Sequence, residues 1–364
     1  MEPCRDLNTY LNEGAEKLVA DILRATLRNP RETAFLQRFH RRQKQMEERR
    51  RYHEGQGVHI PMFLIASITG ACNLSCKGCY ARANGLCGDR AGEGQLSAER
   101  WGELFGQAED AGISFVLLAG GEPFLRPEVL YKAAEREGIV FPIFTNGTML
   151  DGQMLRLLNE HRNLVPVISA EGGEASTDER RGEGTYRHIQ GAMEAMAEKK
   201  LLFGVSLTVT TENLAEITSQ VFLRPLHDRG CRLVFFIEYV PVAPGTEYLM
   251  PGDPQRLMLE KAQEELRRQM PEMIFLSFPG DEKYLGGCLA AGRGFFHINP
   301  HGGAEPCPFS PYSDISLRDH TLLEALGSPF FQKIRKMNER ETEHAGGCAL
   351  FAREAQVRNL LFPG

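Results

Sequence analysis

Short apolar runs alternate with amphipathic segments through the middle of the chain. Strands are predicted at 60–69, 113–118, 140–145, 165–169, 203–209 and 232–240. Helical spacing of apolar residues begins at Ser97 and recurs at 129–137, 149–159, 186–200, 214–228 and 254–270. Strands that alternate with helices of this length predict a parallel sheet with right-handed crossovers. The pattern therefore predicts an α/β protein with six strand–helix units.

The two ends of the chain have other patterns. Residues 7–54 have helical spacing interrupted at Asn29-Pro30, and the second helix runs into the basic stretch RRQKQMEERRRYH. We interpret that stretch as a solvated helix face, with a patch that binds a substrate or partner as the alternative. After residue 250 come a predicted strand at 273–278, a hairpin around Pro300-His301-Gly302-Gly303 and helical spacing at 322–337. Three parts are expected: an N-terminal helical extension at 1–58, a barrel at 59–250 and a C-terminal extension at 251–364.

Composition and charge narrow the class of protein. The 364 residues are 42% hydrophobic and 25% charged, as in an ordinary globular protein, and a net charge of -6 argues against nucleic acid as a partner. No apolar run approaches the roughly 20 residues that span a bilayer, and the N-terminus lacks the pattern of a signal peptide. Several of the nine cysteines lie at the spacing of metal ligands, which indicates a reducing cytoplasm instead of a disulfide scaffold.

The strongest chemical signal is the stretch ACNLSCKGCY at 71–80, in which Cys72, Cys76 and Cys79 are four and three residues apart. Thiolates select zinc, cuprous copper or the iron of iron–sulfur clusters. A closed zinc site or a cubane cluster normally takes four protein ligands, so three cysteines imply a cluster with one open iron. Zinc remains open as an alternative, because Cys87 is near enough in sequence to supply a fourth ligand.

This pattern resembles that of the radical S-adenosylmethionine (radical SAM) enzymes, and a Gly120-Gly121-Glu122-Pro123 turn follows at the distance at which these enzymes carry a similar motif. The resemblance implies a partial (β/α)6 TIM-like barrel. It also implies a [4Fe–4S] cluster whose open iron is chelated by the methionine moiety of S-adenosylmethionine. An electron from the cluster cleaves the sulfonium to a 5′-deoxyadenosyl radical, and a flavodoxin or ferredoxin is the expected low-potential donor.

The resemblance also implies contacts to S-adenosylmethionine at the carboxyl ends of the strands. Gly120, Gly121 and Glu122 match the motif that contacts the methionine amino group. Ser169 and Arg181 have the separation of a pair that grips the methionine carboxylate, for which the arginine fork is well suited. The alternative for Arg181 is a surface ion pair with Glu179 or Glu183.

The contacts expected for adenosine depend on weaker sequence signals. They are Glu171 for the ribose hydroxyls, with Thr208 and Val240 for the ribose and adenine. The family usually has an aromatic residue just before the third cysteine, where this chain has Gly78. Either Tyr80 contacts the adenine from a shifted position, or the adenine pocket is more open.

Three further cysteines resemble the C-terminal SPASM or shorter twitch extensions of radical SAM enzymes, which hold auxiliary iron–sulfur clusters. Cys288, Cys307 and Cys348 are too few for a full SPASM domain, so one auxiliary cluster is expected, with buried structural cysteines as the alternative. Either this cluster has an open iron, or a fourth ligand comes from elsewhere: Cys87, His297, His301, His344 or a substrate atom. Cys4 and Cys231 are expected to be structural or free.

Together these patterns predict a radical SAM enzyme that abstracts hydrogen from a substrate lying between the barrel mouth and the C-terminal extension. A peptide or protein substrate is favoured over a small molecule such as a nucleotide or a tetrapyrrole. An iron–sulfur or zinc protein for electron relay or sensing is the alternative of another class. Glu238 and Tyr239 are placed at the barrel mouth, where they either assist proton or radical transfer or pack the barrel.

Overall fold

The computed structural model describes residues 20–22, 29–90, 92–279, 287–339 and 347–362. Most of the first predicted N-terminal helix, together with Cys4 and His344, lies outside the described residues. The second predicted helix is present and begins after Asn29, whose side chain accepts from the N–H groups of Arg31 and Glu32.

A single open sheet organises the described chain. Its strands are β1 Phe63–Thr69, β2 Phe115–Gly120, β3 Phe141–Thr145, β4 Leu164–Ala170, β5 Gly204–Val209, β6 Leu233–Glu238, β7 Ile274–Phe278, β8 His297–Ile298 and β9 Ala304–Glu305. The strand order is β7-β6-β5-β4-β3-β2-β1-β8-β9, and every neighbouring pair is parallel except β8 with β9. The predicted α/β partial barrel is confirmed, with β7 and the β8–β9 hairpin added at its two edges.

The helices follow the predicted alternation. They are α1 Pro30–Gly55, α2 Tyr80–Ala83, α3 Ala98–Ala111, α4 Pro127–Ala134, α5 Gly152–Glu160, α6 Glu174–Arg181, α7 Thr185–Glu198, α8 Leu214–Ile217, α9 Gln220–Asp228, α10 Asp253–Gln269, α11 Leu322–Leu326, α12 Pro329–Glu339, α13 Ala349–Ala352 and α14 Glu354–Leu361. The helix predicted over 214–228 is divided because Ser219 caps a new helix by accepting from Phe222 N–H. Helix α6 was not predicted, since its sequence EASTDERR lacks an apolar stripe.

Helix α1 closes one end of the barrel. Phe39 is 1% exposed and lies edge-on against Phe115 of β2, with the ring centroids 5.7 Å apart. The same cluster contains apolar side chains from α1 and from the strands: Phe35, Leu36, Met62, Val165, Leu233 and Ile274. The core between the sheet and the outer helices is separate and larger, so α1 is a structural element of the barrel.

The basic stretch of α1 is not simply a solvated face. Arg49 donates to the carbonyl of Glu109 at 2.6 Å, and Arg50 donates to the carbonyl of Gly112 and to Ser114 Oγ. These carbonyls lie at the carboxyl end of α3, where cations stabilise the helix dipole. The prediction of a solvated face is therefore wrong for Arg50, which is half-buried, whereas Arg49 is exposed.

The β8–β9 hairpin attaches the C-terminal extension to β1 through buried polar side chains. Ser67 Oγ is 2.7 Å from His297 Nε2, and His297 Nδ1 is 2.7 Å from Glu305 Oε2. Asn299 Nδ2 donates to Glu305 Oε1 at 2.6 Å. The sheet thus continues across residue 250, and the division of the chain into domains stays a prediction. Within the described residues, no helix is both long and apolar enough to cross a membrane.

Replacement of Phe39 by alanine should lower the free energy of unfolding by about 3–5 kcal/mol, because the lost ring leaves a cavity between α1 and the sheet. Urea denaturation followed by circular dichroism measures the change. Tyr52→Ala on the same helix is the control, since Tyr52 is 66% exposed. Equal effects of the two variants would contradict the role of α1 as a barrel element.

Candidate functional site

The cysteine loop after β1 and the glycine turn after β2 are packed directly on each other. Gly121 N–H donates to the carbonyl of Thr69 at 2.7 Å, and Glu122 N–H donates to the carbonyl of Ala71 at 2.8 Å. A Cβ at Gly121 would overlap the Ala71 carbonyl, and Gly120 has a φ of +127°, which only glycine adopts readily. The glycines therefore let the two loops touch, and their contact with the methionine amino group stays a prediction.

Glu122 is a buried carboxylate that holds the end of β3 against this pair of loops. Its Oε1 accepts from Phe124 N–H at 3.1 Å and from Thr145 Oγ1 at 2.8 Å, and its Oε2 accepts from Asn146 N–H at 2.8 Å. Burial raises the pKa of Glu122 to about 7, although these three hydrogen bonds favour the charged form. All three donors are neutral, so a ligand ammonium would supply the countercharge that the buried carboxylate needs.

The three cysteines of the loop lie close enough to affect one another. Burial raises the pKa of Cys76, and the nearby charges of Arg181 and Arg180 oppose that rise. The pKa of Cys72 is lowered to about 6, chiefly because the Cys87 thiol donates a hydrogen bond to it. A lower thiol pKa favours the thiolate, the form that binds metals.

Cys87 belongs to the loop and not to the C-terminal cysteines. The backbone on either side supports this position, since Cys72 N–H donates to the carbonyl of Gly88 at 2.9 Å and Gly88 N–H donates to that of Gly70 at 2.8 Å. In the described part of the chain, no three potential ligands meet within reach of a single metal ion. A single zinc ion needs thiolates about 2.3 Å away, whereas a cluster is larger and holds its thiolates farther apart. The loop supplies thiolate donors of the kind that an iron–sulfur cluster takes.

Two arginines of α6 meet one carboxylate at the end of β4. Glu171 Oε1 accepts from Arg180 Nη1 and from Arg181 Nε, the latter at 2.8 Å, while Glu171 Oε2 is buried without a partner. The partner of Arg181 is therefore buried Glu171, and the surface ion pair with Glu179 or Glu183 is wrong. The unpartnered Oε2 is an open hydrogen-bond acceptor, which suits the ribose hydroxyl predicted at Glu171.

Arg180 was missed from the sequence, although it connects more parts of the site than Arg181 does. It donates to Thr208 Oγ1 at 2.7 Å and to the carbonyl of Lys77 in the cysteine loop at 3.2 Å. Its guanidinium also lies 5.8 Å from the ring centroid of Tyr239. The only sequence signal for Arg180 is that it lies next to Arg181. The separation from Ser169 pointed to Arg181 alone.

The remaining predicted contacts lie at the same end of the sheet. Ser169 is half-buried and in register with Ser206, Thr208 is half-buried on β5, and Val240 is buried after β6. Ser169 lies on β4, and Arg181 is the last residue of α6, the helix that follows β4. Their joint binding of a carboxylate stays a prediction.

Tyr80 points toward the second group of cysteines. Its ring lies edge-on against Phe309, with centroids 5.1 Å apart, and burial raises its pKa. Because Tyr80 follows Cys79 and Phe309 lies two residues after Cys307, this ring contact brings the two groups of cysteines near each other. Tyr239, in contrast, lies against Gly78, the position where the family usually has an aromatic residue.

The second group of cysteines is also brought together. The Cys307 thiol donates a hydrogen bond to Cys348, Cys288 is near enough to affect it electrostatically, and burial raises the pKa of Cys307. Two of the proposed fourth ligands are engaged elsewhere: His297 in the network with Ser67 and Glu305, and Cys87 with Cys72. His301 is exposed, with Nδ1 3.3 Å from the carbonyl of Gly94.

Comparison with known proteins agrees with this geometry. The sequence profile of the radical SAM superfamily matches residues 66–219. An AdoMet-dependent heme synthase from Methanosarcina barkeri is 25% identical over 310 residues, which cover 78% of this chain and 87% of the relative. Mycofactocin maturase MftC from Mycobacterium tuberculosis is 25% identical over 315 residues, which cover 80% of this chain and 76% of the relative.

Among solved structures, Streptococcus suis SuiB bound to its precursor peptide SuiA has the same fold. The TM-score is 0.65 at 18% identity, over 88% of this chain and 77% of SuiB. The matched profile runs from within β1 to just after α8 and includes both the cysteine loop and the glycine turn. Residues 66–219 are therefore a radical SAM domain, and the enzymes of that superfamily use a [4Fe–4S] cluster and S-adenosylmethionine.

Proposed function

We propose that this enzyme modifies a peptide or protein by radical chemistry, with an auxiliary iron–sulfur cluster beside the substrate. In this scheme the reactive cluster is held by Cys72, Cys76 and Cys79. The auxiliary cluster is held by Cys288, Cys307 and Cys348. The observation that carries the proposal is the contact between Tyr80, which follows Cys79, and Phe309, which lies two residues after Cys307. The bound cluster and S-adenosylmethionine supply the radical that abstracts hydrogen from the substrate.

The residues around the cysteine loop would bind and orient S-adenosylmethionine. Glu122 would pair with the methionine ammonium. Arg181 with Ser169 would bind the carboxylate, and Arg181 would use Nη1 because its Nε and Nη2 contact Glu171 Oε1. Glu171 Oε2 would accept from a ribose hydroxyl, because a buried carboxylate oxygen without a partner is costly. Thr208 and Val240 would complete the adenosine contacts.

A peptide substrate is supported by two of the comparisons. MftC is described as a maturase, and SuiB was crystallised with a precursor peptide. The heme synthase from Methanosarcina barkeri supports a tetrapyrrole as a second candidate. We further propose a cytoplasmic location and a flavodoxin or ferredoxin as electron donor, since the cysteines have to stay reduced.

Anaerobic binding assays of the reconstituted enzyme separate the two substrate candidates. We expect iron coproporphyrin and related tetrapyrroles to leave the wild-type absorption spectrum of the clusters and their EPR signals unchanged. A saturable tetrapyrrole complex with a defined stoichiometry would replace the peptide proposal by the second candidate.

Simultaneous replacement of Cys72, Cys76 and Cys79 by alanine should abolish 5′-deoxyadenosine formation with dithionite and S-adenosylmethionine, because the thiolates that hold the reactive cluster are gone. Chromatography of anaerobic reactions measures the nucleoside. Cys231→Ala is the control, since Cys231 is buried at the start of β6, away from both groups. Deoxyadenosine from the triple variant at the wild-type rate would refute the assignment.

Replacement of Cys288, Cys307 and Cys348 by alanine should lower the iron content from about eight to about four atoms per chain, since one of two cubane clusters is lost. Deoxyadenosine should still form, because the first cysteine loop is intact. Iron analysis and Mössbauer spectroscopy of the reconstituted proteins measure the difference. Unchanged iron would show that these cysteines are structural.

Glu122→Gln should weaken S-adenosylmethionine binding at least 10-fold and reduce stability by about 1–3 kcal/mol. The amide loses the negative charge and turns an NH2 donor toward groups that also donate. Isothermal titration under anaerobic conditions and urea denaturation provide the two values. Glu135→Gln, which alters an exposed carboxylate, should change neither; unchanged binding by Glu122→Gln would argue against an ammonium contact.

A further inference from the structure

Tyr239 is a buried side chain that the packing of the protein alone does not satisfy. It follows β6 directly, its backbone N–H donates to the carbonyl of Val209 at 3.0 Å, and the residue is 3% exposed. Its hydroxyl is buried without a hydrogen-bond partner. A buried phenol usually finds a partner, because leaving the O–H unpaired forfeits the hydrogen bond it makes to water in the unfolded chain. The hydroxyl therefore has an open hydrogen bond that a bound ligand can accept.

The direction of the ring locates that ligand. A Cβ at Gly78 would overlap Tyr239 Oη, so the hydroxyl is aimed at the turn between Cys76 and Cys79. Gly78 has a φ of +66°, and the absence of a side chain leaves the space that the tyrosine occupies. An aromatic ring thus reaches the cysteine loop from the end of β6.

The surroundings of the ring are polar and complementary to a nucleoside. Arg180 lies against the ring of Tyr239 and also donates to Thr208 and to Glu171. Glu171 Oε2 is a second buried atom without a partner. Arg180 therefore contacts two residues with open hydrogen bonds. The Tyr239 hydroxyl lacks an acceptor, and Glu171 Oε2 lacks a donor. Adenosine offers ring nitrogens as acceptors and ribose hydroxyls as donors.

We propose that Tyr239 binds the adenosine part of S-adenosylmethionine, with its ring beside the adenine and its hydroxyl donating to the nucleoside. This inference rests on the proposed function, because it places the ligand beside the cluster loop. It replaces the expectation that Tyr80 contacts the adenine, since Tyr80 lies against Phe309 near Cys307. Tyr239 would be a binding residue and would not transfer protons or radicals.

Tyr239→Phe removes only the hydroxyl. On anaerobically reconstituted protein, we expect the Kd for S-adenosylmethionine to rise about 5- to 10-fold, as for loss of one hydrogen bond. S-Adenosylhomocysteine, which keeps the adenosine, should lose affinity by the same factor. Iron content and the absorption spectrum of the ligand-free cluster should match the wild type. Tyr131→Phe is the matched control, because Tyr131 is exposed on α4, and it should leave both Kd values unchanged.

A double-mutant cycle tests the contact itself. Gly78→Ala should weaken binding by crowding the tyrosine, and its effect should not add to that of Tyr239→Phe if Oη lies where the structure places it. Additive effects in the cycle would contradict the contact.

Several outcomes would overturn the inference. Equal Kd values for Tyr239→Phe and wild type would do so, as would a loss of affinity in Tyr80→Phe instead. Loss of iron, or a changed reduction potential with an unchanged Kd, would show that the hydroxyl serves the cluster loop. Failure of the wild type to bind S-adenosylmethionine would overturn the proposed function together with this inference.

Discussion

The buried contact between Glu171 and two arginines determines how the functional end of the sheet is arranged. Charges are stable away from water only when they are paired and their hydrogen bonds are made. Arg180 meets that requirement by reaching Glu171, Thr208 and the carbonyl of Lys77, so the ends of β4 and β5 and the cysteine loop share one guanidinium. Two positive charges on one carboxylate leave the group with a net positive charge, which favours anionic ligands and thiolates nearby.

The open edge of the barrel has a different constraint. An exposed edge at β1 would leave backbone donors and acceptors unpaired, and β8 satisfies them by pairing in parallel with it. The side chains of Ser67, His297 and Glu305 are buried at this junction, so they have to be partners of one another. Sealing the edge in this way brings Cys307, two residues after β9, toward the loop that follows β1. The same contact thus stabilises the sheet and brings the two cysteine groups together.

Much of the fold could be predicted because the apolar periodicity is strong in each strand–helix unit. The three-cysteine loop and the glycine turn could also be predicted, because the residues of each motif lie close together in the sequence. The contacts of Arg180 and Tyr239 were not, because each depends on residues that the fold brings together from distant segments. Gly78 is an example. The sequence shows that the usual aromatic residue is missing at this position, but it does not show that the ring of Tyr239, 161 positions later, lies against Gly78. The seventh strand was predicted as a strand, but its pairing with β6 depends on register that periodicity does not give.

Tyr80 is an uncharged ring at the contact between the cysteine loop and the segment that carries Cys307. Burial raises the pKa of Tyr80 well above its usual range, so its phenol stays neutral beside the two groups of cysteines. A neutral aromatic spacer adds no further charge to a region of low dielectric constant, where repulsion between like charges is strongest. A carboxylate at the same position would raise the electrostatic free energy of both groups, and a lysine would form an ion pair with one of them. The packing of Tyr80 on Phe309 therefore brings the two groups of cysteines near each other and places no charged side chain at that contact.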